Sequence, residues 1–588
     1  MYSELDPLLV PFPQPRNKTR ILIFIPVAVL IIICGAISYT YSIVNERFYF
    51  NGICATDNKV CSRIGVGILK DGGNAVDASI AAALCLGTIS PFASGIGGGG
   101  FALVGGPNTK AQFFNFREKA PQSAYPDMFV KNPVEAQVGA KSVGVPGELL
   151  GLYKLHLKYG ALSWDKLFIP SINLAKNGFK VTGILLKRLT SAKTAIFNDP
   201  GLRNIYTKVV NNNRVLVEYN DLVKRSNYAK TLQDISINGV HSFYRGNISR
   251  ILVDFLSRHG GILTNYDFGN YTIISSDPLH ITYRGYDVYT TKLPSGGPVL
   301  AMMLKIMENF KLPSNEGDSV DYHRMIEAMK WGYAQRSYFG DPLFVPNITD
   351  KIKQMLSNSY IDSIFPRISN DITYEPSHCK FIIYYTNIDD SDYSIAEDHG
   401  TTHLSTVDKD GLAVSLTSTV NLNFGSKMME PITGIVLNDQ LDDFSIPGKS
   451  NYFGLKPSTA NYIAPGKRPQ SSTAPALVLK GGKLVLNIGG SGGSRIGTAV
   501  FQTILRVLDL NIGVNHAIQL PRIHHQLFPN VLEIEGDFGV KLIDELHEKN
   551  HTTSILAQAY SAVQGIHLTD SKIYGGSDHR KNGRPAGY

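Results

Sequence analysis

Apolar positions recur every three to four residues from Arg63 to Lys70, lapse at Asp71-Gly72-Gly73, and resume through AVDASIAAALCLG at 75–87. That spacing predicts two helices separated by a turn. A glycine loop, SGIGGGGFALV at 94–104, then enters a strand. Between about 120 and 340, amphipathic helices (GELLGLYKLHLKYG, DYHRMIEAMKWGYAQRSYF) mix with short strands such as HITYRGYDVYTT. Residues 345–400 are polar, rich in Asn, Asp, Ser and Tyr, and have no clear period, which predicts an exposed connecting segment. A hairpin is predicted over 402–420, and KLVLNIGGSGGSRIGTAVFQTIL predicts a strand, a glycine turn and a helix over 483–510. Sheets and helices in mixed order, with no internal repeat, predict a layered α/β or α+β architecture.

One stretch departs from this patterning. ILIFIPVAVLIIICGAISYT at 21–40 is apolar throughout, and roughly 20 such residues span a bilayer as a helix. Arg16, Lys18 and Arg20 precede it and no small-residue cleavage site follows, which predicts an uncleaved signal-anchor over 21–42. Residues 1–20 are then cytosolic and the rest extracellular or lumenal. Sequons at Asn247, Asn270, Asn347 and Asn550 all fall on that outer side. ELDPLL at 4–9 matches an acidic di-leucine sorting pattern, so lysosomal routing is compatible with the tail as well as the plasma membrane.

Composition narrows the function classes. The formal charge of +8 is spread over 588 residues with no block of Lys and Arg and no aromatic-basic stripe, so nucleic acid is not an expected partner. Five cysteines exclude a disulfide scaffold; Cys54, Cys61, Cys85 and Cys379 lie outside the apolar span, free to pair or to stay reduced. No His/Cys cluster has metal-ligand spacing, and no Lys-Ser/Thr follows the glycine loop as a phosphate-binding loop needs. No cofactor is expected.

The hairpin carries the first candidate chemistry. A threonine hydroxyl is a weak nucleophile unless a base sits beside it. A Thr made N-terminal by cleavage of Gly400–Thr401 supplies its own base, an α-amine with a pKa near 8. A four-residue loop at 408–411 pairs residues summing to about 819, and a two-residue loop at Asp410-Gly411 pairs those summing to about 821. Thr401 and Thr419 sum to 820, so either register brings the two hydroxyls close. Both residues also suit a strand on propensity alone. Further on, the backbone N–H groups of Gly492 and Gly493 precede a helix and suit an oxyanion hole. The same glycines frame Ser491 in a G-x-S-x-G match, a competing nucleophile elbow with His516, His524, His525, Asp537 and Asp544 downstream.

At these residues the chain closely resembles the γ-glutamyltransferases (γ-glutamyl transpeptidases), N-terminal-nucleophile hydrolases that activate by self-cleavage. The similarity runs from about Ile53 to Tyr588. It is carried by DGGNAVDASIAAALCLG, GIGGGG, FREKAP, SVGVPGE, TTHLSTVDKDGLAVSLTSTVNLNFGS, GIVLNDQLDDFS, PGKRPQSS, GGSGGSR, PRIHHQ and SDHRKNGRPAGY. The resemblance implies an α+β, four-layer αββα fold, with residues 43–400 as a large subunit and 401–588 as a small catalytic subunit. It implies Thr401 as nucleophile, Thr419 as the assisting hydroxyl, and Gly492 and Gly493 as oxyanion donors. Arg117, Ser471 and Ser472 would hold the donor's α-carboxylate, while Asn421, Gln440 and Asp443 would face its α-ammonium. Gln440 departs from members that carry Glu there, so ammonium binding leans on Asp443. Cys61 and Cys85 match a family disulfide; a second, closely spaced pair of mammalian members has no counterpart.

The implied activity is attack on the γ-glutamyl amide of glutathione or its conjugates. An acyl-enzyme would follow, then transfer to water or to an amino acid or dipeptide acceptor, by a heterodimer of the chain's own fragments. Two other classes keep a place at this stage: a serine hydrolase built on Ser491, and a non-catalytic membrane glycoprotein of the same fold.

Overall fold

The computed structural model describes residues 47–312, 317–379, 400–452, 454–558 and 560–588. The predicted signal-anchor lies outside them, and no helix among the described residues is long and apolar enough to cross a membrane.

Two seven-stranded sheets dominate the structure, every strand pair in both being antiparallel. The first runs, edge to edge, through Ala586–Gly587, Ile53–Thr56, Gly400–Val407, Ala413–Asn421, Gly99–Gly106, Thr109–Phe116 and Ile274–Ser276. The second runs through Phe48–Tyr49, Ile573–Ser577, Ala562–Leu568, Lys483–Ser491, Ala476–Lys480, Tyr286–Thr290 and Leu279–Tyr283.

Strand periodicity sorts side chains between the layers. In Gly99–Gly106, Phe101 and Leu103 enter a core shared with Leu477, Leu484 and Ile566 of the second sheet. Ala102 and Val104 point the other way, into a core with the helices Lys59–Lys70, Ala75–Ile89 and Glu148–Tyr159. On the far side, Val478, Leu486 and Ile488 pack against the helices Gly297–Met307, Ser319–Arg336 and Ile496–Leu508. Successive strand residues face opposite sides, so each strand serves two cores at once. The layers run helix, sheet, sheet, helix.

The helix Ala75–Ile89 shows why its sequence lacks a polar stripe: all fifteen residues are buried. Alanines let it lie close to its neighbours. A capping box of Asn74 and Asp77 fixes its start. Cys61 and Cys85, on adjacent helices with Cα atoms 5.5 Å apart, are disulfide-bonded, while Cys54 and Cys379 are buried and unpaired.

Two expectations need correction. Residues 345–379 are not a plain exposed connection: Ile348–Met355 and Asn358–Ile364 are helices, burying Ile348, Ile352, Met355, Ile361 and Ile364. These helices are too short for a visible period among so many polar residues. The hairpin loop has five residues, 408–412, and pairs sum to 820. The cause is Asp408, whose carboxylate accepts from Asp410 N at 3.0 Å and Leu412 N at 3.1 Å and so lengthens the turn.

Candidate active site

Thr401 stands one residue into the strand Gly400–Val407, directly opposite Thr419. On the neighbouring inter-sheet positions of this hairpin, the Ser405 hydroxyl donates to Gln564 O at 3.4 Å and the Ser415 hydroxyl to Ile488 O at 2.9 Å, both on the second sheet. His403 lies between Thr417 and Ser405, and its ring occupies space that a Cβ on Gly489 would fill. Burial pushes its pKa down to about 3, so it is neutral. By alternation, Thr401 and Thr419 share that face and sit at its end, where the two sheets open into a cleft.

The two hydroxyls are 3.0 Å apart. Thr419 Oγ1 donates to the Gly400 carbonyl at 2.7 Å and accepts from Asn421 N at 2.9 Å. A hydroxyl has one proton. With it committed to Gly400 O, Thr419 accepts from Thr401, so the Thr401 oxygen is held with its proton directed away from the Gly400 carbonyl.

The cleft has about 360 Å³ of empty space. Arg117, Thr401, Thr419, Asn421, Asp443, Ser471, Ser472 and Gly493 line it, so residues far apart in sequence converge there. Gly492 and Gly493 take φ of +129° and +56°, a left-handed run after the strand Lys483–Ser491 that only glycine adopts cheaply. A Cβ on Gly492 would also lie 2.6 Å from the Ser561 Cα. The helix beyond is braced by Arg495, which donates to both Glu533 oxygens at 2.6 and 2.8 Å.

Arg117 is buried at the cleft wall. Its Nη2 donates to Asp443 and, at 3.1 Å, to Gln470 O; its Nε donates to Pro469 O at 3.3 Å. The two candidate ligand-holding charges therefore pair with each other. Glu118 lies 3.7 Å from the guanidinium, but burial raises its pKa to about 8 and Arg117 only partly offsets this. A protonated Glu118 leaves the Arg117 charge for Asp443 and for whatever enters the cleft. Gln440 stands behind the wall rather than in it; its Nε2 donates to Asp443 Oδ2 at 2.8 Å, and its Oε1 has no partner. Ser471 is tied to Thr473 at 3.1 Å.

Ser491 sits apart from the cleft. It is fully buried, its Oγ accepts from Lys581 Nζ at 2.7 Å, and no imidazole among the described residues hydrogen-bonds it. His524 instead joins Thr498 and Gln526. Sequence reasoning missed Lys581, whose Nζ also reaches Thr401 O at 2.5 Å and Asp57 Oδ2 at 3.1 Å. It also missed Arg336, which lines the cleft from the end of the helix Ser319–Arg336. The one signal for Lys581 was its place in the terminal SDHRKNG stretch.

A family model described as "Gamma-glutamyltranspeptidase" matches residues 61–588. "Glutathione hydrolase proenzyme 2" of Schizosaccharomyces pombe is 43% identical over 91% of this chain and 87% of its own length. The crystal structure of cephalosporin acylase from Bacillus halodurans superposes with a TM-score of 0.79 at 25% identity, covering 100% of this chain and 99% of that one. That of Helicobacter pylori gamma-glutamyltranspeptidase gives 0.52 at 32% identity, over 54% of this chain and 92% of that one.

Proposed function

The chain belongs to the gamma-glutamyltranspeptidase family, and from that premise we propose that it is a self-processing glutathione hydrolase and γ-glutamyltransferase with Thr401 as nucleophile. The observation that carries this reading is the Thr401–Thr419–Gly400 relay at 3.0 and 2.7 Å.

In the intact chain, Thr419 polarises the Gly400 carbonyl by donating to its oxygen. Thr401 Oγ attacks that carbon, its proton passes to the departing Thr401 nitrogen, and an ester forms as the C–N bond breaks. Water hydrolyses the ester, leaving Thr401 with a free α-amine beside its own Oγ. The fragments are residues 1–400 and 401–588. In turnover the amine takes the Oγ proton as Oγ attacks the γ-carbonyl of the donor. The N–H groups of Gly492 and Gly493 meet the developing oxyanion, an arrangement worth a few kcal/mol in such sites. The Thr401 ammonium returns that proton to the departing amine of cysteinylglycine, and water or an amino acid or dipeptide then takes the acyl group. The donor's α-carboxylate displaces Asp443 from Arg117, with Ser471 and Ser472 beside it, and its α-ammonium takes Asp443. Asn421 lines the cleft beside it, and Gln440 acts from behind the wall by holding Asp443 through its Nε2.

We place the catalytic body outside the cytosol, held by the apolar segment 21–42. In support, all four sequon asparagines are exposed, and an oxidising compartment suits the Cys61–Cys85 bond.

N-terminal sequencing of the purified protein's smaller fragment tests the assignment together with glutathione turnover. A start at Thr401 and release of cysteinylglycine are expected. Thr419→Val keeps the strand but removes the relay, and should slow both processing and turnover. A fragment starting at Thr402, or full activity in Thr419→Val, sinks the reading.

A further inference from the structure

The end of the chain brings a cation to Thr401 from the side away from the cleft wall. The short turn His579–Lys581 starts at Asp578, whose carboxylate accepts from Arg580 N at 3.0 Å and pairs with Arg522 Nη2 at 2.8 Å. Asp578 and Arg522 are both buried, so the turn is held from inside. From it Lys581 runs inward, only 8% exposed. Its Nζ donates to Thr401 O at 2.5 Å, Ser491 Oγ at 2.7 Å and Asp57 Oδ2 at 3.1 Å. An ammonium has three N–H donors, and three acceptors meet them. The serine of the G-x-S-x-G stretch is thus one of the acceptors that hold this charge.

Lys581 touches Thr401 itself, whereas its partner Asp57 touches the next residue. Asp57 Oδ2 accepts from Thr402 Oγ1 at 2.9 Å, and its Oδ1 from Gln564 Nε2 at 2.6 Å. Backbone N and O of one strand residue lie about 3 Å apart, which puts the Lys581 charge within about 6 Å of the Thr401 nitrogen. The contact is to the Thr401 carbonyl, beyond the Gly400–Thr401 bond, so cleavage there leaves it in place. Other charged groups around Thr401 do not reverse its sign. Arg336 lines the cleft, and Arg117 and Asp443 pair with each other. His403, two residues along the strand, is neutral. The carboxyls of Glu118, Asp439 and Asp442 are buried, and burial raises the pKa of each.

We propose that Lys581 is a positioning residue that keeps the new α-amine of Thr401 unprotonated at neutral pH, ready to act as base. The premise is the reading of Thr401 as the processed N-terminus. An ordinary α-amine, with a pKa near 8, is mostly protonated at pH 7. A like charge close by disfavours its ammonium form. The amine exists only after cleavage, so processing does not draw on this effect.

Two measurements on the purified, processed protein test the proposal. Competitive labelling with cyanate from roughly pH 5 to 9, read by mass spectrometry of the Thr401 peptide, gives the midpoint at which the α-amine titrates. It is expected about one pH unit or more below the ordinary value near 8. The second measurement is the pH profile of kcat/KM for glutathione on the parent, Lys581→Gln and Lys581→Arg. Lys581→Gln keeps a donor for Thr401 O and removes the charge. It should still cleave, while its labelling midpoint and the acidic limb of its profile rise together by about one pH unit. Lys581→Arg keeps the charge and should leave both where the parent has them. A role in packing alone would lower kcat with the limb in place. A parent midpoint near 8, a limb unmoved in Lys581→Gln, or a Lys581→Gln chain that no longer cleaves overturns the proposal. A parent fragment that starts at another residue overturns the premise as well, which tells the two failures apart.

Discussion

On the proposed binding mode, Asp443 is the residue whose partner changes when a donor binds. Its carboxylate accepts from Arg117 and from Gln440 Nε2; with a donor in place it would face the ammonium. Removing one side of a buried charge pair costs roughly 2–5 kcal/mol, about 30-fold to several thousand-fold in kcat/KM. Asp443→Ala should therefore lose turnover of glutathione severely while still cleaving at Gly400–Thr401, because processing needs no donor. A donor lacking its α-amino group should turn over poorly on the parent, yet suffer little further on Asp443→Ala, since the partner is already missing. The measurement is kcat/KM for both donors on both proteins. Additive losses would mean that Asp443 does not meet the ammonium. Residue types alone suggested a threonine after a glycine as a candidate nucleophile. Arg117 and Asp443 entered only through the family resemblance, since an arginine and one of a pair of aspartates read locally as a surface ion pair and a turn cap. Residue types did not suggest Lys581, because nothing local in the sequence tells a buried lysine from a solvated one.

At the scale of elements, the hairpin was legible and its register was not. Alternating Thr, Ser, Val and Leu around Asp-Gly predicted two strands, but loop length depended on Asp408, whose carboxylate also accepts from Ala75 N at 2.9 Å. That tertiary bond joins the turn to the first residue of the helix Ala75–Ile89, and sequence spacing carries no trace of it. The same limit hid the helices of 348–364, whose buried faces are set by distant neighbours. Asp408→Ala would strip an acceptor from three backbone donors. It should cost about 1–3 kcal/mol of unfolding free energy, read as a lower urea midpoint, with Asp408→Asn falling between. An unchanged midpoint would show that water replaces the carboxylate there without penalty.

The whole molecule holds several ionisable groups away from their ordinary ranges. Burial raises Glu118 to about 8, and Glu148 and Asp442 to about 7. The folded chain keeps these protons where the unfolded chain would release them, so their contribution is complete below pH ~4 and is lost as pH rises through 7 to 8. His403 at about 3 and His524 at about 4 act oppositely, contributing above pH ~6.5 and losing it toward 4. The unfolding temperature should therefore fall between about pH 6.5 and 8, and Glu118→Gln should flatten that fall; a flat parent profile would show these carboxyls ionised in the fold. The proposed cleavage at Gly400–Thr401 would act on the same body differently, because both sheets mix strands from the two sides of that bond. Gly400–Val407 lies between Ile53–Thr56 and Ala413–Asn421, and Ala413–Asn421 pairs in turn with Gly99–Gly106. In the second sheet Ala476–Lys480 pairs with Tyr286–Thr290, and Ile573–Ser577 with Phe48–Tyr49. Neither fragment owns a closed sheet or a complete core, so parting them would expose the inter-sheet layer of Phe101, Leu103, Leu477 and Ile566. The processed protein should elute as one species on size exclusion and give two bands only after denaturation. Uncleaved Thr401→Ala should share its elution volume and unfold within a few degrees of it. Fragments that separate without denaturant would mean that the cut falls elsewhere, at a point where the sheets do not bind the two pieces together.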